Sequence, residues 1–194
     1  MKYGELNLGQ VEAIVNILGG MDGVRRLLSG DLVVKARSFT IWKTVTLGVH
    51  KSSSAYRAAL KANGYHIGDN ADQILDKTKV NETEIQVDLV KMTIAELGFK
   101  KGNSYLQICK RTTELGLELC PAEVGPALRL QYDQPPEEWI HVAMESIPNS
   151  GDTTLSVFEV CHNRRGEQWL DSIGSPTYAF FDASWCWVFV VPRK

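Results

Sequence analysis

Seven consecutive apolar residues near the end of the chain, Trp185-Cys186-Trp187-Val188-Phe189-Val190-Val191, limit the possible architectures more than any other stretch. Their aromatic and β-branched types favour a strand. On a strand, Trp185, Trp187, Phe189 and Val191 share one face and Cys186, Val188 and Val190 the other. A strand apolar on both faces belongs in the middle of a sheet with both sides covered. The run is also far short of the ~20 residues a membrane helix needs.

Further candidate strands precede it at Ala127–Tyr132, Trp139–Glu145, Leu155–His162 and Glu167–Leu170. The segments Asp133–Pro136, Pro148–Asp152 and Asn163–Gly166 separate them, and the last is a hairpin turn with glycine where positive φ is wanted. Short turns between successive strands imply antiparallel pairing. The first part of the chain follows a helical period instead. Val11, Ile14, Val15 and Leu18 form an i, i+3, i+4, i+7 stripe that Gly19-Gly20 ends. A second short helix follows, with Asp22 as its expected N-cap. Strands are expected at Leu32–Ala36 and Ile41–Leu47, helices at Ala55–Asn63 and near Asp69–Leu75, a strand at Ile85–Val90 and a Ser104-capped helix to Leu115. The fold class is therefore α+β, a small helical/β N-terminal module followed by a helix and an antiparallel β-meander.

The polar, aperiodic stretch Asp76–Glu84 is the best linker. It suggests a basic module at 1–76, a linker at 77–84 and a sheet module at 85–194, which can still pack as one domain. Charge divides near the same place: residues 1–80 hold eleven Lys/Arg against seven Asp/Glu, and residues 81–194 hold ten against sixteen. The +4 and −6 halves sum to −2, too small a total for bulk attraction to nucleic acid or membrane. The start, Met1-Lys2-Tyr3-Gly4-Glu5-Leu6, has no apolar signal core. Cys109, Cys120, Cys161 and Cys186 are widely spaced without a CxxC pair. A cytoplasmic protein with reduced thiols, no metal and no cofactor is expected.

Candidate chemistry is sparse. Arg25, Arg26, Lys35, Arg37, Lys43 and Arg57, with Trp42 and Tyr56 nearby in sequence, are the residues a nucleic-acid or acidic-protein contact would use. Two helix-turn-helix outlines exist, around Gly19-Gly20 and around Gly64. The second has a long turn and a following helix carrying Asp69, Asp72 and Asp76, the wrong sign for phosphates. Cys120, before Pro121, is the best-placed nucleophile, with His141 as its base and Glu123 or Glu145 to orient the imidazole. A second cluster, His162, Arg164, Arg165 and Asp171, has the types of a nuclease site around the hairpin. Four of the five tryptophans fall in the second half, where they supply core or an aromatic ligand groove.

Two blocks, Gly19-Gly20-Met21-Asp22-Gly23-Val24-Arg25-Arg26-Leu27-Leu28 and Leu115-Gly116-Leu117-Glu118-Leu119-Cys120-Pro121-Ala122-Glu123-Val124-Gly125-Pro126, stand with a closing Trp187-Val188-Phe189-Val190. Together they resemble an uncharacterised family of small bacterial proteins met in environmental genomes. The resemblance implies no activity and no site residues. The leading expectation is a non-catalytic binding protein that contacts nucleic acid through its basic N-terminal module. The alternatives are a small hydrolase or nuclease using Cys120/His141 or His162/Arg164/Arg165, and a structural protein-interaction module.

Overall fold

The computed structural model describes residues 7–33, 38–149, 154–175 and 178–193. Contacts divide the chain into two units, Met1–Ser38 and Phe39–Lys194.

The first unit is a helical hairpin, α1 (Leu8–Ile17) and α2 (Met21–Leu28). Asn7 opens α1 with a capping box, its side chain accepting from the Gln10 N–H while the Gln10 side chain accepts from the Asn7 N–H. Gly19 and Gly20 both take positive φ and turn the chain. The N-cap of α2 is Gly20 rather than the expected Asp22, which lies in the first helical turn. Residues 34–36 of the expected Leu32–Ala36 strand, and with them Lys35, lie outside the described residues, as does Arg37.

The second unit runs β1 (Lys43–Leu47), α3 (Ser53–Ala62), β2 (His66–Ile67), α4 (Asp69–Asp76), β3 (Ile85–Thr93), β4 (Asn103–Ser104), α5 (Tyr105–Glu114) and α6 (Val124–Gln131). It continues with β5 (Glu138–Val142), β6 (Ile147–Pro148), β7 (Leu155–His162), β8 (Gln168–Gly174), β9 (Phe180–Phe181) and β10 (Cys186–Val191). Eight strands form one sheet in the order β1-β3-β10-β5-β7-β8-β2, with β6 beside β7. Its pairs are antiparallel except β10–β5 and β2–β8. The apolar run near the C-terminus is an interior strand, β10, between β3 and β5, with Trp187, Val188 and Phe189 fully buried. The class is α+β. The expected 77–84 linker is a loop from α4 to β3, and strands on either side of it, β1 and β3, pair in register.

One expected strand is a helix. Residues Val124–Gln131 form α6, in which Val124 to Arg129 are all buried. A helix enclosed on all sides has no polar face, so its sequence lacks the 3.6-residue signature and mimics a buried strand. Gly125 lets α6 lie tightly on β7, since a Cβ there would meet the Phe158 ring at 2.6 Å. The Gly64 outline is not a helix-turn-helix either, because His66 and Ile67 leave α3 to pair with Trp169 and Leu170 at the sheet edge.

Register assigns the two faces. Val45, Leu47, Phe158 and Val160 face the layer that contains α6. Trp187 and Phe189 face the opposite layer, where Tyr105 at the start of α5 lies 5.4 Å from the Trp187 ring. That second layer covers β10.

At the far edge, Asp88 takes 2.7 Å and 2.8 Å contacts from Arg193 and one of 2.6 Å from Thr44 Oγ1. The Arg193 bonds, then Thr44, hold its carboxyl down at about 2. An unfolded aspartate titrates near ~3.9. The contribution is therefore complete above about pH 4 and is lost as pH falls through about 2. Arg193→Ala is expected to flatten the Tm-against-pH profile within that window, and an unaltered acid limb would refute the linkage.

Candidate ligand-binding groove

Strand alternation and register build the groove. On β5 and β7, His141 pairs with Glu159 and Trp139 with Cys161. On β7 and β8, Glu159 pairs with Asp171 and Cys161 with Trp169. Paired residues project to the same face, so two parallel rows cross the three strands. One row is His141–Glu159–Asp171, and the other is Trp139–Cys161–Trp169. The second row places two indoles about 10 Å apart, two strand spacings, with a small thiol between them.

The surface here forms two adjoining depressions. The larger, about 450 Å³, is lined by Trp139, His141, Glu159, Ser184, Trp185 and Cys186. The smaller, about 240 Å³, is lined by Trp139, Glu159, Cys161, Asn163, Trp169 and Asp171. Trp139, 42% exposed, and Glu159 form their common wall. His66 stacks on Trp169 at 4.5 Å and 24°, extending the aromatic rim.

His141 is the most constrained polar group of the site. Its ring stacks on Trp185 at 4.8 Å and on Trp187 at 4.9 Å. Phe181 and Tyr105 pack against Trp187 in turn. His141 Nδ1 lies 3.0 Å from the Cys186 carbonyl, which only accepts, so Nδ1 carries a proton. Nε2 lies 2.8 Å from Glu159 Oε2, within ion-pair distance but outside hydrogen-bond geometry. The ring is thus fixed by the Cys186 carbonyl at one nitrogen, the Glu159 carboxyl beside the other and two stacked indoles.

Asp171 has different surroundings. Burial raises its carboxyl above the ordinary aspartate value, and the charges of Glu159 and Asp69 raise it further, against the lowering effect of the Ser172 N–H bond. Gly68 makes room for it, since a Cβ there would lie within 2.3 Å of Oδ1. Burial likewise pushes the Cys161 thiol up to about 12 and raises Cys186, so both line the groove as thiols. Among the described residues, no group of three or more His, Cys, Asp or Glu is placed to hold a metal ion, and no Lys or Arg lines either depression.

The residues singled out in the sequence separate. Cys120 is buried, its thiol donates to the Val188 carbonyl at 3.4 Å, and burial drives its pKa upward. The polar partners of His141 are Cys186 and Glu159. Glu123, considered as an orienter, is buried among backbone and side-chain donors of residues 48, 56 and 81. His162 alternates to the face opposite Asp171, with Nδ1 2.6 Å from the Gln134 carbonyl. Arg164 pairs with Glu137 on the surface. Of the basic set, Arg57 is held by Asp72 at 2.5 Å and Asp76 at 2.7 Å. Lys43 lies over the Tyr132 ring, and Arg25 lies 3.6 Å from Asp22 on α2.

Sequence reasoning noted His141 and Asp171 in separate clusters and passed over Glu159. The alternation of Trp139 with His141, and of Glu159 with Cys161, was the available signal. It needed the pairing of β5, β7 and β8 to become a site. Compared with family models, curated proteins and solved structures, the chain matches none. Geometry and chemistry therefore carry the functional reading.

Among the described residues, no helix is long and apolar enough to cross a membrane.

Proposed function

We propose that the protein binds a carbohydrate in the groove across β5, β7 and β8. The supporting observation is the pair of indoles, Trp139 and Trp169, flanking a small floor bordered by carboxyl groups. Indole faces accept the C–H faces of a sugar ring, while carboxyl and imidazole groups exchange hydrogen bonds with its hydroxyls. Charge favours a neutral ligand. Burial biases Asp171 toward its protonated form, and no Lys or Arg lines either depression to hold an anion. Phosphates would meet acids and no lining Lys or Arg, which disfavours a nucleic acid here. The basic residues give less support to a nucleic-acid role, because Arg57 is already neutralised by two aspartates.

The test is titration of intrinsic tryptophan fluorescence with maltotriose, cellotriose, xylotriose and chitotriose. At least one is expected to saturate a spectral change in the wild type. Trp139→Ala is expected to weaken that binding about 10-fold, the scale of one aromatic contact. If none of the four binds while a nucleoside such as adenosine does, the carbohydrate reading fails.

A further inference from the structure

The helical hairpin carries apolar side chains that its own two helices leave uncovered. Leu8, Val11, Ile14 and Ile17 recur at three-residue intervals along α1, and Met21 and Leu28 lie two turns apart on one side of α2. All six are exposed, from 43% at Val11 to 83% at Ile17. Helix α1 buries none of its residues, and α2 buries only Gly23.

Helices of ten and eight residues are too short to persist on their own hydrogen bonds, and this pair encloses no core. Units below about 40 residues are usually held by a disulfide, a metal or association. Residues 7–33 contain no cysteine and no histidine, which leaves association. The core of the Phe39–Lys194 unit is built from its own residues.

We infer that the hairpin is a self-association module, which pairs with the hairpin of a second copy of this chain in a two-fold, four-helix arrangement. Area, charge and symmetry select this partner. The six side chains offer on the order of 400 Å² of apolar surface per copy. Homodimer interfaces are about 65% apolar, so two copies bury about 1,200 Å² in all, the lower limit of a specific interface. Residues 7–33 hold three acids and two bases, so two hairpins meet without strong repulsion. Two arginines are also too few to hold a nucleic-acid backbone.

The charges show how the copies fit. Glu12 stands four residues after Leu8 and three before Val15, and Arg25 stands in the same way between Met21 and Leu28. Each therefore borders the apolar stripe of its helix on the matching side. Matching sides meet when helices pack antiparallel, so α1 of one copy against α2 of the other sets Glu12 beside Arg25. Two-fold symmetry makes that contact twice. The contact of Arg25 within its own helix, to Asp22 at 3.6 Å, is exposed and leaves the guanidinium available.

Sedimentation equilibrium of the full chain, from about 1 to 200 µM, tests the pairing. The wild type is expected to approach twice the 21.6 kDa chain mass. Ile17→Glu combined with Leu28→Glu should weaken association at least about 100-fold. Both positions are exposed in the single chain, so its fold should persist. Thermal melting followed through the tryptophans, all beyond Ser38, checks that. Glu12→Arg alone and Arg25→Glu alone should each weaken the homodimer about 10-fold, and an equimolar mixture of the two should recover wild-type association.

A wild type that stays monomeric over the whole range overturns the proposal. So does a dimer indifferent to Ile17→Glu with Leu28→Glu, which places the interface elsewhere. A monomer whose tryptophan-reported melting falls in that variant assigns the face to the Phe39–Lys194 unit instead. A monomer in which neither readout moves leaves the face to a different protein. A mixture no tighter than its components refutes the α1–α2 arrangement. Trisaccharide titration is expected to be unchanged in every one of these variants, so the hairpin and the groove are tested separately.

Discussion

Glu123→Ala is expected to destabilise the Phe39–Lys194 unit by about 4 kcal/mol or more, since several buried donors lose their acceptor together. Glu123 is fully buried at the entry of α6. One oxygen accepts from the Gly48 N–H at 2.7 Å and from the Tyr56 hydroxyl at 2.7 Å. The other accepts from the Asn81 N–H at 2.8 Å and its side-chain amide at 2.6 Å. One carboxylate therefore joins the loop after β1, helix α3 and the loop before β3 to the helix beneath them. Burial and the neighbouring carboxylate drive the Tyr56 phenol strongly upward, which keeps it a donor at any ordinary pH. Glu123→Gln preserves shape but turns an amide donor toward existing donors, so it should recover only part of the loss. Urea unfolding followed by tryptophan fluorescence provides the measurement. A change below about 1 kcal/mol would show that water or rearrangement satisfies those groups.

The second large effect is at Arg129, and its size depends on the replacement. Arg129 is fully buried, and burial pulls its guanidinium pKa down. Its terminal nitrogens reach Gln134 Oε1 at 2.5 Å, the Tyr132 carbonyl at 2.8 Å and Gln168 Oε1 at 2.6 Å. Its face lies 4.7 Å from the Tyr65 ring centroid. These acceptors are neutral, so desolvation of the cation is offset by dipoles and a π face rather than by a carboxylate. Arg129→Ala removes the donors, strands the acceptors and opens a cavity, a loss of about 3–5 kcal/mol. Arg129→Met fills the space without a buried charge and should cost distinctly less. Arg129→Lys cannot reproduce the planar fork and should resemble Ala more than Met. Equal losses for Ala and Met would mean that the hydrogen bonds, not the packing, carry the stability.

Local pattern explains which elements were legible. The span of β7 and the hairpin closed by Gly166 follow from residues within a few positions of one another. The interior place of β10 follows from its apolar residues on both faces. Helix α6 was missed because complete burial erases the amphipathic period. The β1–β3 pairing joins residues about forty positions apart, a contact that local pattern does not reveal.

The candidate site was legible only in fragments. Cys120 has the sequence context of a reactive thiol, yet it is enclosed by apolar neighbours that suppress its ionisation. Asp171 and His162 are close in sequence, but alternation sends them to opposite faces. Glu159 alternates between buried apolar residues, where a single acid reads as an ordinary strand position.

Taken alone, the amino-acid order determined the α+β class and the interior place of the last strand, because period and turns act over a few residues of chain. Tertiary structure alone decided that His141, Glu159 and Asp171 form one row and that Trp139 and Trp169 flank Cys161. Those neighbours are set by strand register, which depends on the packing of distant segments, and a one-residue slip would turn every one of them to the opposite face.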